Sequence, residues 1–158
     1  MMQEPKFSQA DLIPHWILLV FFLLFLIGYN LICYGWGNEI QINFEAADRQ
    51  LLKGVLYAIT ILLFPLVKLL RYILLRLNQT MPLDNKHAYQ RYFFTVALTM
   101  TVIEIVGMFG FLLFILGDGY NTLSIFSVLA ALGLFLHKPD LQEYLRICEA
   151  LHTKSQST

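Results

Sequence analysis

Four stretches of this chain are each long and apolar enough to cross a lipid bilayer as a helix, and no other feature restricts the fold as much. A hydrocarbon core about 30 Å thick takes about 20 residues of helix. The stretches are residues 13–36, 51–70, 92–117 and 120–137. Lipid offers backbone N–H and C=O groups no partner, so each stretch must satisfy its own bonds as a helix. Alternating segments of the β-barrel kind do not occur. The expected fold class is therefore an all-α integral membrane protein. It is expected to be a single domain over residues 1–158, built as a four-transmembrane-helix bundle.

Composition supports this. Apolar residues make up 58 % of the chain and charged residues 14 %, against about 45–50 % and about 25 % in soluble domains. That excludes a disordered chain and a basic nucleic-acid binder, so no nucleic-acid partner is expected. The first stretch follows a segment with one Lys, Lys6. It is too long for a signal peptide and has no small-residue cleavage site, so it reads as an uncleaved anchor.

The 11 basic residues balance 11 acidic ones, but they are sorted along the chain. With four spans, Lys6, Lys68, Arg71, Arg76, Lys86, Arg91, Lys138, Arg146 and Lys154 share one side, and only Arg49 and Lys53 lie on the other. The positive-inside rule then places both termini in the cytoplasm, and the chain in a cell inner membrane. Cys33 and Cys148 fall on opposite sides and cannot pair, and two lone cysteines form no metal site. Asn78-Gln79-Thr80 is formally a glycosylation sequon, but it faces the cytoplasm and is expected to be silent.

Local signals refine the connections. Gly35-Trp36-Gly37 opens the outer loop, where Ile40, Ile42 and Phe44 alternate with Gln41 and Asn43 as a short extended stretch. Asn43 is the expected cap of the second helix, with Glu45 in its first turn. Gly117-Asp118-Gly119 predicts a tight turn, making the third and fourth helices an antiparallel hairpin. Pro65 predicts a kink. Past the second span, Lys68, Arg71 and Arg76 share one helical face opposite Leu69, Leu70, Ile73, Leu74 and Leu77. This basic extension suits the inner membrane surface. It either contacts anionic lipid heads, at about 1 kcal/mol per basic residue, or simply anchors the bundle. Pro139 stops the fourth helix and opens a C-terminal amphipathic cytoplasmic helix over residues 139–152, with Asp140 in its first turn. Its stripe of Leu141, Tyr144, Leu145, Cys148 and Leu151 must bury against the bundle, the membrane or a partner.

Glu104 is the only ionisable residue deep in any span. A charge there costs about 3 kcal/mol on insertion scales, so a protonated, neutral carboxyl is expected. Thr60, Thr101 and Ser127 lie at similar depth. Ala97, Thr101, Glu104, Gly107 and Met108 form a stripe on the third helix, as do Ser124, Ser127 and Ala131 on the fourth, and these stripes are expected to face protein. The polar cluster reads in two ways. Glu104 either exchanges a proton or cation, or binds the bundle together as a neutral hydrogen-bonding group.

The segment Val102-Ile103-Glu104-Ile105-Val106-Gly107-Met108-Phe109-Gly110-Phe111-Leu112 resembles the carboxylate helix of the proteolipid (c-type) subunits of rotary ATPases. Glu104, Met108, Phe109, Gly110 and Phe111 carry the match, which covers about residues 97–116. The resemblance implies that Glu104 carries a translocated proton or cation. The glycine-repeat helix that precedes the carboxylate helix in that family has no counterpart, since residues 51–70 contain Gly54 alone.

Enzyme signatures are missing. His15 and His137 are expected at the membrane interfaces, and His87 and His152 in polar segments. No phosphate-cradling glycine loop or nucleophile elbow occurs, and no cofactor is expected. The leading expectation is a non-catalytic accessory subunit, a homo-oligomer or part of a larger membrane complex. It would associate through its small-residue stripes and C-terminal helix. The alternative is a proton- or cation-coupled channel or transport subunit using Glu104. A third reading is a lipid-binding or lipid-modifying protein.

Overall fold

A computed structural model describes residues 12–42, 44–80 and 86–155, and every regular element among them is an α-helix. In chain order these are α1 (Ile13–Ile40), α2 (Ala46–Thr80), α3 (Lys86–Ile115), α4 (Tyr120–Leu136) and α5 (Leu141–Ser155). Three helices, α1 to α3, are long and apolar enough to cross a membrane. With 17 residues, α4 is short for a span. Together with α5, from which it bends by 45°, it forms a fourth candidate, a broken span. The described residues are thus all-helical apart from their connections, with three or four candidate membrane spans.

The central element is α3, which packs against α1, α2, α4 and α5. By contrast α1 and α2 turn large apolar side chains outward. Ile17, Leu24 and Leu31 on α1, and Leu51, Ile61 and Leu62 on α2, are all more than 60 % exposed. Soluble monomers rarely show such contiguous apolar surface, whereas lipid accommodates it.

Several boundaries differ from the sequence reading. Helix α1 continues past residue 36 to Ile40, although Trp36 leaves helical geometry (φ −121°, ψ 17°) between its flanking glycines. Pro14 sits in the first turn, where its missing N–H is not needed. Of the expected extended stretch only Ile40 is taken into the helix, and Gln41, Ile42 and Phe44 lie between α1 and α2. The Ile42 N–H donates to the Ile115 carbonyl (2.7 Å), which ties the α1–α2 connection to the end of α3. The expected cap Asn43 lies outside the described residues. Helix α2 runs unbroken through Pro65.

The α3–α4 hairpin has an identifiable cause. Gly117 takes φ +89°, the left-handed conformation that glycine tolerates best. Its N–H reaches the Phe114 carbonyl and the Asp118 N–H reaches the Leu113 carbonyl, each at 3.0 Å. That pair of bonds is the Schellman closure of a helix C-terminus. The two helices then meet closely through glycine. A Cβ on Gly110 would lie 2.7 Å from the Phe126 Cβ, and one on Gly133 would lie 2.7 Å from the Ile103 side chain.

At the start of α5, Asp140 is the N-cap and not a first-turn residue. Its carboxylate accepts from the Gln142 N–H at 3.0 Å. Tyr144, Ile147 and Cys148 of α5 are buried in one core cluster with Tyr92, Val96 and Met100 of α3. Leu141, Tyr144 and Cys148 of the expected stripe thus pack on the bundle itself.

Candidate functional site

The sorted charge becomes two polar clamps at opposite ends of the bundle. At one end, Lys53 Nζ of α2 lies 3.0 Å from Asp118 Oδ2 in the hairpin turn, and Gln41 Nε2 donates to the Asp118 carbonyl at 3.1 Å. Burial opposes ionisation of Asp118. Hydrogen bonds from Lys53, the Gly119 N–H and Thr122 outweigh it and hold the carboxyl below the usual carboxylate range.

At the other end, Arg71 of α2 is buried. Its guanidinium donates to Glu143 Oε2 (2.7 Å), to the Lys138 carbonyl (3.0 Å) and to the His137 carbonyl. Tyr92 exchanges hydrogen bonds with the Asp140 backbone, donating at 3.0 Å and accepting at 2.8 Å. Arg71 was expected on the lipid-facing side of the basic extension. It points inward instead, because a planar guanidinium can satisfy the carbonyls left open where α4 ends. Lys68 and Arg76 are exposed, as expected. Asn78 of the formal sequon donates to Thr95 Oγ1 of α3 (2.9 Å). His15 is fully buried within the bundle, and its ring meets those of Tyr89, Tyr92 and Phe93 at centroid distances of 5.0–5.4 Å.

Between the clamps lies Glu104, 4 % exposed. Neither carboxyl oxygen has a hydrogen-bond partner among the described residues. The three groups expected around it are engaged elsewhere. Thr60 donates to the Leu56 carbonyl (2.8 Å), and Thr101 to the Ala97 carbonyl (2.8 Å). Ser127 pairs with Asn30 of α1, accepting from Asn30 Nδ2 (2.9 Å) and donating to Asn30 Oδ1 (3.2 Å). No hydrogen bond joins Thr60, Thr101, Glu104 and Ser127 to one another among the described residues. The stripe expected on α3 also divides: Glu104 and Gly107 are buried, whereas Thr101 and Met108 are exposed. The buried face runs through Tyr92, Val96, Met100, Ile103 and Val106. Thr101 sits one residue past Met100, a rotation of about 100° away from that face.

Two residues missed by the sequence reading complete the site. The Tyr29 hydroxyl presses against Gly107, which has no Cβ to obstruct it. It lies within electrostatic reach of both Glu104 and Ser127. Asn30 is the amide on α1 that reaches Ser127 on α4. The available signal was the Tyr-Asn dipeptide in an otherwise apolar helix. The Asn30–Ser127 pair lines an open groove of about 480 Å³ between α1 and α4, walled by Leu26, Leu31, Leu123 and Val128. A buried carboxyl, a phenol and an amide–hydroxyl pair thus come together from α1, α3 and α4. Such a set can hold a proton, a cation or a polar ligand group.

No group of three or more metal-ligating side chains occurs among the described residues. Comparison with protein-family models, with curated proteins and with solved structures found no match.

Proposed function

We propose that this chain is a four-span inner-membrane protein in which Glu104 takes up and releases a proton or cation as part of a transport or channel activity. One observation carries the reading: both oxygens of a buried carboxyl have no hydrogen-bond partner among the described residues. A carboxyl that served only to join helices would bond across to one. The polar groups expected beside it, Thr60 and Ser127, bond instead to the Leu56 carbonyl and to Asn30. The Tyr29 hydroxyl, also without a hydrogen-bond partner among the described residues, lies close enough to Glu104 for the two groups to interact electrostatically.

In this reading the clamp of Arg71, Glu143 and Tyr92 faces the cytoplasm, with Lys68, Arg76 and Arg146 nearby, and the Lys53–Asp118 clamp faces the opposite side. The α4 and α5 helices are then a fourth span followed by an amphipathic cytoplasmic helix, and both termini are cytoplasmic.

An accessory role in a homo-oligomer or larger complex draws less support. Of the stripes and the helix that motivated it, Gly107, Ser127 and the Tyr144 and Cys148 side chains of α5 are used in packing within the chain, whereas Thr101, Met108 and Ser124 are exposed.

The test is Glu104→Gln, which keeps shape and hydrogen bonding but cannot release a proton. In liposomes, proton-dependent flux through the wild type and its loss in Glu104→Gln, with helix content and melting unchanged, is the expected result. Equal flux in both proteins, or none in the wild type, overturns the reading. Proteins that copurify in mild detergent then decide the assembly role.

A further inference from the structure

The basic end of the bundle holds a second feature, a cleft of about 380 Å³ between the last third of α2 and α5. Its walls carry four cations, Lys68, Arg71, Arg76 and Arg146, against one carboxylate, Glu143. That carboxylate is already matched by Arg71 at 2.7 Å. Lys68, Arg76 and Arg146 are exposed, and among the described residues no further carboxylate lines the cleft. Three positive heads from two helices therefore converge on one concave surface.

Depth and surroundings select the occupant. With 35 residues, α2 extends about 52 Å at 1.5 Å per residue, well beyond a hydrocarbon core of about 30 Å. Its C-terminal third therefore stands at headgroup level or past it. Beside the basic heads, Leu69, Tyr72, Ile73 and Leu77 are exposed along the same segment of α2. Tyr72 is an aromatic of the kind enriched at membrane interfaces, and its hydroxyl accepts from Arg76 Nη1 at 3.1 Å. Cations around a cleft with apolar surface alongside fit a ligand that is anionic at one end and fatty at the other. A free phosphate would make no use of the apolar part.

We propose that the α2–α5 cleft binds the phosphoryl headgroup of an anionic membrane lipid. Lys68, Arg76 and Arg146 contact the phosphate, and the acyl chains run back toward the hydrocarbon core past the exposed Leu69 and Leu62. Arg71 is a positioning residue: its bonds to Glu143 and to the end of α4 hold α5, and hence Arg146, across from Lys68. This site is separate from Glu104, and neither depends on the other.

The test uses the full chain in neutral detergent, titrated with short-chain phosphatidylglycerol, short-chain phosphatidylcholine or inorganic phosphate. The readout is the melting temperature, with lipid retention followed by native mass spectrometry. Phosphatidylglycerol is expected to raise the melting temperature, and the other two to leave it unchanged. Each of Lys68→Gln, Arg76→Gln and Arg146→Gln is expected to weaken half-saturation about fivefold, and the triple variant about a hundredfold. If the triple variant melts differently without lipid, the three single variants, each changing one exposed side chain, supply the same comparison. Equal affinity in all variants overturns the proposal. So does an equal shift from phosphatidylcholine, or a shift from inorganic phosphate as large as that from phosphatidylglycerol.

Discussion

The guanidinium of Arg71 and the carboxylate of Glu143 lie 2.7 Å apart, joining α2 to α5 across 72 residues of sequence. Arg71 also donates to the carbonyls of His137 and Lys138, so one side chain closes the end of α4 and fixes the start of α5. Truncation leaves a partly buried carboxylate and two carbonyls without their donor. Arg71→Ala is expected to cost about 2–3 kcal/mol. Arg71→Lys restores only part of it, because a single ammonium cannot reproduce the planar fork. Thermal melts in detergent measure the loss. Maleimide labelling of Cys148, 6 % exposed under α5, is expected to accelerate in both variants if α5 loosens.

Gly110 and Gly133 should tolerate no side chain. A Cβ at Gly110 would meet Phe126 at 2.7 Å and the Leu123 backbone at 3.2–3.3 Å, where nothing flexible can yield. Gly110→Ala is expected to destabilise by about 1–3 kcal/mol through overpacking. Gly28 and Gly54 have no atom within 4 Å of such a Cβ, so Gly28→Ala and Gly54→Ala should stabilise by up to about 1 kcal/mol. Opposite signs within one set of melts are the expected result, and equal effects would contradict this packing.

The Lys53–Asp118 clamp predicts an acid limb of stability. The Asp118 carboxyl is held below its usual range in the folded protein. Its contribution is therefore complete above the unfolded carboxyl value of about 3.9 and declines as pH falls through the lower folded value. Melting between pH 6 and pH 3 should show this loss. Asp118→Asn should begin lower at neutral pH and lose less on acidification.

The Asn30–Ser127 pair should contribute modestly. Hydrogen bonds between membrane helices average about 0.6 kcal/mol and reach about 1.7 kcal/mol. Asn30→Leu should fall within that range, since Asn30 also bonds the Leu26 carbonyl of its own helix. A double-mutant cycle with Ser127→Ala isolates the cross-helix part, and additive losses would mean the pair is not coupled.

Much of the fold was legible beforehand. The apolar stretches, the turn at Gly117-Asp118-Gly119, the α5 segment and the sorting of Arg49 and Lys53 away from the other basic residues all follow from counting along the chain. Boundaries were less so. Helix α3 begins at Lys86, ahead of the expected 92, and α1 runs on to Ile40 through the Gly-Trp-Gly break. Propagating a helix past its apolar stretch costs little once neighbours hold it.

The rotation of each helix about its own axis was not legible, and the site depends on it. In α3 both the buried and the lipid-facing sides are apolar, so periodicity does not mark the inward face. For that reason Thr101 and Met108 were placed inside although they are exposed, and Arg71 was placed toward lipid although it is buried. The partnership of Asn30 with Ser127 and the position of Tyr29 on Gly107 are likewise contacts between segments far apart in sequence. The sequence alone determined that the chain is helical, apolar enough for lipid, sorted in charge, and in possession of one deep carboxyl. Lipid cannot satisfy a backbone or welcome a charge, so those properties are recorded residue by residue. Only the tertiary structure decided which polar atoms meet and that the Glu104 carboxyl has no hydrogen bond among the described residues, because helix packing in an apolar solvent follows shape and not hydrophobic contrast.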